Sequence, residues 1–541
     1  MRHARESDRI VGCLRFRRLA AREFVVCAVV AGIAACGPAI GEPAESAFPR
    51  FRIEGESVEE IEAFKVRIDG EHIDPVEERV EVDDQELVFE LPAGDSVTVE
   101  LHTLESDGEQ WRAGLFRGAA ETPVLQAGEE MEIAVPLQLP QPAGADGVTW
   151  AAAATAGSYA EFEQAIDDFL DVDAGEDEAF LLLVNDDIDV GSVGEPLSAA
   201  AGADIYIIGE SLDEAELVTL DGGGDSGILG AESAADGLTF HVGGLRFVNG
   251  MADGGGALFV GSGYSRLMVF ESEFEDNLAS ANDGGAIWFF GEDDVPENEV
   301  VVSQSVFANN ETVSNGGAML IDGDALVEVA VHESEFIDNE AGNTGGAIAV
   351  WPVEALDISD SIFRRNDALT GDGGAVYAEV ITGTGVYVDS TAFESNSAGE
   401  DTGTGGAVVV VEATELEIRD SHFSSNEAMQ GGAVVGTVVP TIDVTDSVFE
   451  QNSSIEYGGA IVGEEFDRIR IARSRFEENV AGEGGGVAAV EASPGELETE
   501  QSSYINNDEP PLFDGFETLT DGGGNEFEPD GHEPTWGEQG E

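Results

Sequence analysis

One column of acidic residues has the chemistry and the spacing of a reactive or ion-binding site. A Ser/Thr-x-Phe step recurs eight times, and the residue before each step is most often a carboxylate. Like charges one repeat apart raise each other's pKa, so these groups could work as acid and base or hold a cation. The candidate acidic column is Glu271, Glu333, Asp360, Asp420 and Asp446, with Gln304, Ser390 and Arg473 at the equivalent positions of other repeats.

Turn capping by solvated Asp and Glu side chains is the alternative for this column. A glycosidase needs one specific carboxylate pair in a cleft, and the sequence singles out no pair. Ca²⁺ is the ion that such oxygens favour, but the isolated Asp221-Gly-Gly-Gly-Asp225 segment is interpreted first as a turn. We therefore assign no catalytic residue and expect no cofactor, with Ca²⁺ as the one ion left open.

A second column is apolar and suits binding rather than catalysis. It follows a recurrent glycine motif, and its candidate binding residues are Phe259, Trp288, Leu320 and Tyr377. If the aliphatic residue before each of them points inward, strand alternation places this column outside. An exposed aromatic stripe is typical of a surface that binds a glycan or a protein. The alternatives are that loops cover the stripe or that its register is inverted.

Two short motifs must position these columns. A Gly-Gly-small-aliphatic tetrapeptide occurs nine times and alternates with nine Phe-x-x-Asn-type motifs. The glycine motifs begin at Gly255, Gly284, Gly316, Gly345, Gly373, Gly405, Gly431, Gly458 and Gly484. The aromatic motifs begin at Phe274, Phe307, Phe336, Phe363, Phe393, Phe423, Phe449, Phe476 and Tyr504. Successive aromatics lie 26 to 33 residues apart, which is the period of a structural repeat.

Each repeat has room for about three short strands and shows no helical period, as in the alternating Leu416-Glu-Ile418. Three strands with turns form one coil of a parallel β-helix, whose coils pair at about 4.8 Å. Equivalent residues then stack on one another. The sequence therefore predicts an all-β fold with about ten coils, an internal phenylalanine ladder and an asparagine ladder at a turn.

The alternation of Gly-Gly-Ala-(Ile/Leu/Val) with Phe-x-x-Asn resembles the repeats of the polymorphic outer membrane proteins. A wider resemblance, over about residues 150–525, is to the pectin-lyase-like superfamily. These resemblances imply a right-handed parallel β-helix. They leave the activity open, because one fold hosts many functions.

Many pectin-lyase-like proteins cleave polyuronides with clustered carboxylates and Arg or Lys. The repeat region here has nine arginines and no lysine. Its paired arginines, such as Arg364-Arg365, fit solvated faces better than a catalytic cluster. The histidines fall on distant repeats and form no metal-ligand set: His241, His332 and His422.

The amino terminus predicts export and a lipid anchor. Seven arginines precede an apolar run from Phe24 to Ile33, and the run ends in Ile33-Ala-Ala-Cys36. This is a secretory signal, and its end resembles the lipobox of bacterial lipoproteins, which implies cleavage before Cys36 and lipidation of that residue. Gly37 favours the outer membrane, on its surface or its periplasmic face. An ordinary signal peptide with an incidental cysteine is the alternative.

The charge excludes one class of partner. Lys and Arg number 23 against 111 Asp and Glu, for a formal net charge of −88. Such a surface repels nucleic acid and anionic polysaccharide, while 42% hydrophobic residues and a strict period argue against disorder. The acidity fits adaptation to salt or, alternatively, collection of divalent cations.

The expected organisation has six segments. Residues 1–35 are a lipoprotein signal, 36–48 a linker, and 49–139 a small β-sandwich that resembles immunoglobulin-like or transthyretin-like modules. A second linker spans 140–150, the β-helix 151–525 and an acidic tail 526–541. A capping box, Ser158-Tyr-Ala-Glu161, starts a short helix that would close the first coil, with Phe162, Ile166, Phe169 and Leu170 on its apolar face.

The function expected from these features is binding, adhesion or a structural role at the cell envelope, without catalysis. The expected partners are a membrane, through the lipid, and a glycan or protein ligand; nucleic acid is excluded. The alternative function is a carbohydrate-active enzyme, either a polysaccharide lyase or a glycoside hydrolase, on the same fold.

Overall fold

The computed structural model describes residues 24–25, 46–54, 63–70, 73–81, 87–88, 91–92, 97–106, 111–121, 130–136, 148–170, 172, 174–175, 178–200, 202–210, 217–233, 237–291, 298–399, 402–490, 495–507 and 512–528. The chain divides into two compact units: residues 1–142 with 211–214, and residues 143–210 with 215–541. Cys36 and most of the predicted signal lie outside the described residues.

The described residues of the first unit form two sheets, roughly as expected for a small β-sandwich. Inward-facing Val97, Val99 and Leu101 are buried, as their alternation predicts. The antiparallel sheet has the order Ile73–Glu81, Ala63–Gly70, Val97–Ser106 and Trp111–Glu121. The mixed sheet is built on Ser46–Glu54, which pairs with Phe24–Val25, Leu87–Val88, Leu91–Pro92 and Glu130–Pro136.

The second unit is a parallel β-solenoid of about 12 turns. In the described part of the chain it has three parallel sheets, of 23, 13 and 9 strands. The predicted number of coils, about ten, is too low because the opening coils lack both motifs and were not counted as repeats. The prediction of an all-β solenoid fold is confirmed.

The broad sheet carries the glycine motif and the strip that follows it, so each coil contributes up to two strands. Its strands are Thr149–Ala156, Glu178–Val184, Leu197–Ser198, Asp204–Gly209, Leu229–Ala231, Leu238–Gly243, Leu258–Val260, Tyr264–Phe270, Ile287–Gly291, Asn298–Ser303, Met319–His332, Ile348–Ser359, Val376–Asp389, Val408–Ala413, Leu416–Arg419, Val434–Thr437, Thr441–Thr445, Ile461–Glu464, Arg468–Ala472, Ala488–Val490, Glu496–Glu500, Phe513–Asp514 and Thr518–Gly523.

The phenylalanine sheet and the short sheet complete each coil. The strands of the phenylalanine sheet are Ile188–Asp189, Val218–Asp221, Leu245–Val248, Glu273–Glu275, Val306–Ala308, Glu335–Ile337, Ile362–Arg364, Ala392–Glu394, His422–Ser424, Val448–Glu450, Arg475–Glu477, Ser503–Ile505 and Glu526–Glu528. Those of the short sheet are Met251–Ala252, Leu278–Ala279, Glu311–Thr312, Glu340–Ala341, Asp367–Ala368, Ser397–Ala398, Glu427–Ala428, Ser453–Ser454 and Val480–Ala481.

The phenylalanines form the predicted internal ladder. From Phe247 to Phe476 the ring centroids are 4.6–4.9 Å apart and the rings are within 9° of parallel. This spacing equals the separation of paired strands, so one ring stacks on the next in each coil from Phe247 to Phe476. Tyr504 and Phe527 extend the ladder toward the last coil.

The asparagines form the second predicted ladder. Each buried Asn from Asn277 to Asn479 donates from Nδ2 to the Oδ1 of the next, at 2.9–3.0 Å. The same Nδ2 also donates to a Phe carbonyl, as Asn366 does to Phe336. Every amide is therefore satisfied inside the turn, which buried polar groups require.

A third ladder was not predicted. The Ser or Thr of each Ser/Thr-x-Phe step is buried, and its hydroxyl accepts from the backbone N–H of its counterpart one coil earlier, as Ser361 accepts from Ser334 at 3.1 Å. The hydroxyl itself donates to the carbonyl two residues before it, as Ser361 does to Ser359. The recurrent serine was visible in the sequence, but its bonding depends on the stacking of coils.

A helix closes the first coil. Tyr159–Leu170 begins with the predicted capping box, since the Glu161 N–H donates to Ser158 Oγ at 3.3 Å and the Glu161 carboxylate accepts from the Gly157 N–H. Phe162, Ile166 and Phe169 are buried against the solenoid core. Leu170 is the exception to the predicted apolar face, because it is 55% exposed. No helix in the described ranges is long and apolar enough to cross a membrane.

Candidate functional site

The candidate acidic column lies at one tight turn of every coil. Glu271, Glu333, Asp360, Asp420 and Asp446 are all exposed, and with their counterparts they have φ values of 45–52°. This left-handed conformation ends one strand and starts the next, and Asp and other polar residues tolerate it better than bulky ones. The column thus stacks in a line of exposed side chains on the surface.

Two carboxylates of the column already accept hydrogen bonds from neighbouring column residues, so they are poor candidates for a catalytic acid and base. Arg473 binds the Asp446 carboxylate through two nitrogens, at 2.8 and 2.5 Å, and holds the pKa of Asp446 below its ordinary value. Gln304 donates to Glu333 at 2.9 Å. Among the described residues no group of three or more His, Cys, Asp or Glu side chains has the geometry of a metal site.

The short sheet carries acids that sequence reasoning missed. Glu311, Glu340 and Asp367 are in register on three successive coils. Partial burial raises the pKa of Glu340, and the charges of Glu311 and Asp367 raise it further. The folded-state pKa of the central carboxylate, Glu340, therefore lies above its ordinary value.

Glu340→Gln is expected to raise the free energy of unfolding at neutral pH by about 0.5 kcal/mol, because like charges opposite each other destabilise a sheet. The pKa of Glu340 is raised in the folded state, so the wild type regains this stability as pH falls through that pKa, and the difference should vanish at about pH 4. Urea denaturation at both pH values measures it. Glu335→Gln, on a neighbouring strand between Val306 and Ile362, is the control; an equal gain there would contradict the explanation.

The aromatic column has the predicted outward register, but its side chains are partly or fully buried. Phe259, Trp288 and Tyr377 are half-buried, whereas Leu320 is fully buried, which corrects its assignment to an exposed stripe. Farther along, Val409, Val435 and Val462 form a separate small apolar cluster on which Tyr377 packs. The expectation of a continuous exposed stripe is therefore wrong, and the accessible part lies near the first coils.

A groove of about 540 Å³ opens beside Phe259 and Trp288. It exists because the outward column begins with Ser198 and Gly230, which pair in register with each other and then with Phe259. These small residues leave a trough, and the two aromatic rings close its end, edge to face at 5.3 Å. The groove crosses four successive coils, from Ser198 through Gly230 and Phe259 to Trp288.

Glycines and acids shape the groove. A β carbon at Gly254 would lie 2.5 Å from Trp288 Cε3, so the observed position of the indole requires glycine at residue 254. Glu232 and Asp253 line the groove and are exposed. The site therefore offers two aromatic faces and carboxylate acceptors to a ligand.

A second row of polar residues was also missed. Tyr387, Glu417, Asp443 and Arg470 are in register on four successive coils of the broad sheet. Partial burial raises the pKa of Asp443, while Arg419 pairs with Glu417. A hydrogen bond to Glu415 raises the pKa of Tyr387 to about 12. One carboxylate is thus shifted toward its protonated form beside another that carries an arginine partner.

His241 is the one strongly perturbed histidine in the described ranges. Burial lowers its pKa to about 3, and its ring lies against Tyr206 and Phe270, with centroids 4.5 and 5.1 Å away. It is therefore neutral and packs as an aromatic. His332 and His422 lie on other coils, with Ser359 and Glu450 as their partners.

Comparison with family models, curated proteins and solved structures found no match to this chain.

Proposed function

We propose that this protein is a non-enzymatic β-solenoid lipoprotein of the cell envelope that binds a neutral oligosaccharide in the groove at Phe259 and Trp288. The groove is the observation that carries the proposal. The nine Gly-Gly and Phe-x-x-Asn pairs support relationship to the polymorphic outer membrane protein repeats and, more widely, to the pectin-lyase-like superfamily.

An aromatic groove with carboxylates suits a sugar. Ligand sites are mostly apolar with a few placed polar groups. Trp288 and Phe259 present apolar faces on which a pyranose ring can lie, and Glu232 and Asp253 can accept hydrogen bonds from its hydroxyls. Carboxylates in the groove and a net charge of −88 disfavour an anionic sugar.

Lipidation of Cys36 would place the solenoid on the outer membrane, where a groove can meet glycans. The support is the arginine-rich segment and the Ile33-Ala-Ala-Cys36 sequence. Cys36→Ser is expected to abolish the lipid and release the protein from the membrane fraction. Mass spectrometry of the mature amino terminus measures this, and an unmodified Cys36 in the wild type would contradict it.

Trp288→Ala is expected to weaken binding of neutral di- and trisaccharides at least tenfold, since loss of a central aromatic anchor costs about 2 kcal/mol or more. Gly230→Leu should block the same ligands by filling the trough, because a β carbon there meets no neighbouring atom closer than 4.0 Å and the added side chain can extend into the groove. A glycan array and calorimetric titration of the full chain measure both. Trp150→Ala, at a half-buried tryptophan that does not line the groove, is the control. Binding that is indifferent to Trp288 and Gly230 would overturn the proposal.

Hydrolysis of a neutral glycan is the second candidate. The supporting observation is the Glu417–Asp443 pair, one coil apart at about 4.8 Å between strands. The carboxyl groups of retaining glycosidases lie about 5–5.5 Å apart, with one acid and one ionised nucleophile. The row lies on an outward face, and the groove does not include it, so binding without turnover is the favoured function.

A further inference from the structure

We infer that the ligand is a linear neutral glycan that lies along the solenoid axis and reaches a second aromatic site formed by Trp351 and Tyr377. This inference rests on the proposed function of the groove and specifies the form of its ligand. The affinity of the protein would then depend on the length of the glycan rather than on a single terminal sugar.

One column joins Trp288 of the first site to Tyr377 of the second, and Trp351 lies on the outward column beside it. Trp288 is in register with Leu320, Leu320 with Ala349, and Ala349 with Tyr377. The phenylalanine ladder gives a rise of 4.7 Å per coil here, so three coils separate Trp288 from Tyr377 by about 14 Å. Both sites therefore face the same side of the broad sheet, at different heights.

The second site repeats the chemistry of the first. Trp351 and Tyr377 are half-buried and pack edge to face, with centroids 6.1 Å apart. Tyr377 donates its hydroxyl to Glu379 at 2.8 Å, and Asp322 is in register with Trp351. Two aromatic faces and adjacent carboxylates again suit a neutral pyranose, and they again disfavour an anionic one.

The stretches around this second site limit where a ligand can touch. Leu320 and Ala349, between the two sites, are fully buried. Beyond Tyr377 the column consists of the buried Val409, Val435 and Val462. Exposed aromatic surface on this column is therefore limited to Phe259, Trp288 and Tyr377. On the adjacent column, half-buried Phe290 is in register with Asp322 and then with Trp351.

The coil spacing explains why the ligand should be linear. A pyranose unit with its glycosidic linkage is about as long as one coil is high, so an extended chain places roughly one sugar on each coil. The groove spans four coils, and Tyr377 lies three coils beyond Trp288. A chain of about seven sugars therefore covers both sites. Joining two sites with one chain turns the second binding event into an intramolecular one.

A length series of one neutral oligosaccharide, from two to about ten units, tests the inference by calorimetric titration of the full chain. Affinity should rise at least tenfold between about four and seven units and then level off. Trp351→Ala should remove that gain and leave the Trp288-dependent binding of di- and trisaccharides in place, and Trp351→Phe should restore part of the gain. Thermal melting of each variant checks that the fold is intact.

The outcomes separate this inference from the groove proposal. Equal affinity for short and long chains, with Trp288 still required, would overturn the second site and leave the groove. Binding of no oligosaccharide through Trp288 would overturn both. Preference for a basic peptide over every oligosaccharide, dependent on both tryptophans, would overturn the glycan as ligand. If Trp351→Ala melts early, Tyr377→Phe, which keeps the ring, should retain the length-dependent gain.

Discussion

Phe363→Ala is expected to lower the free energy of unfolding by about 4 kcal/mol, within the range for deletion of a buried aromatic ring. The ring is fully buried and stacked between Phe336 and Phe393, with centroids 4.7 and 4.9 Å away. The backbone on both sides is held by the asparagine and serine ladders, so the site cannot collapse to fill the cavity. Loss of the two ring contacts adds to the loss of burial.

Urea denaturation followed by circular dichroism measures this effect. Leu369→Ala is the control, since Leu369 lies in the same coil but is 47% exposed, and its removal should change stability by less than about 0.5 kcal/mol. A similar small change for Phe363→Ala would mean that the ladder does not support the solenoid.

Gly346→Ala is expected to cost about 3 kcal/mol or more, as overpacking of a rigid site does. A β carbon at Gly346 would overlap the Gly374 carbonyl oxygen of the next coil and lie 2.6 Å from the Asp367 amide nitrogen. Both atoms belong to backbone and cannot swing aside. The cost is one of space, because the residue with positive φ is the preceding Gly345, at 64°.

Gly202→Ala is the matched control, because no heavy atom lies within 4 Å of its β-carbon position. That substitution should be neutral or stabilise by up to about 1 kcal/mol through the unfolded chain. Thermal and urea denaturation of the two variants measure the difference. A Gly346→Ala protein as stable as the wild type would show that the coils can move apart at the glycine turn.

The repeated residues predicted the fold because each of them occupies the same structural environment in successive coils. Phenylalanine, asparagine and glycine recur at a fixed period, so the ladder and the glycine turn follow from stacking alone. The capping helix followed from local chemistry at Ser158 and Glu161. The first coils were not counted in the prediction, because Ile188–Asp189 and Val218–Asp221 pair with the repeat strands without sharing their motifs.

The candidate site was less predictable because the groove depends on positions where a large side chain is absent. Ser198 and Gly230 matter by their small size, and nothing local in the sequence places them in line with Phe259 and Trp288. The acidic column and its alternative, exposed residues at a turn, were both visible in the sequence, and the structure bears out the exposed turn. The left-handed conformation of that turn was not predicted. Leu320 has the correct register, and its burial depends on neighbours from other parts of the chain.

The most direct test of the central claim is a titration of the full chain with a neutral oligosaccharide of about seven units, with the sugar recovered afterwards and its length measured. We predict saturable binding that requires Trp288, with the oligosaccharide recovered intact. Recovery of shorter products, lost on Asp443→Asn but not on Trp288→Ala, would contradict the claim and establish an enzyme on the same solenoid.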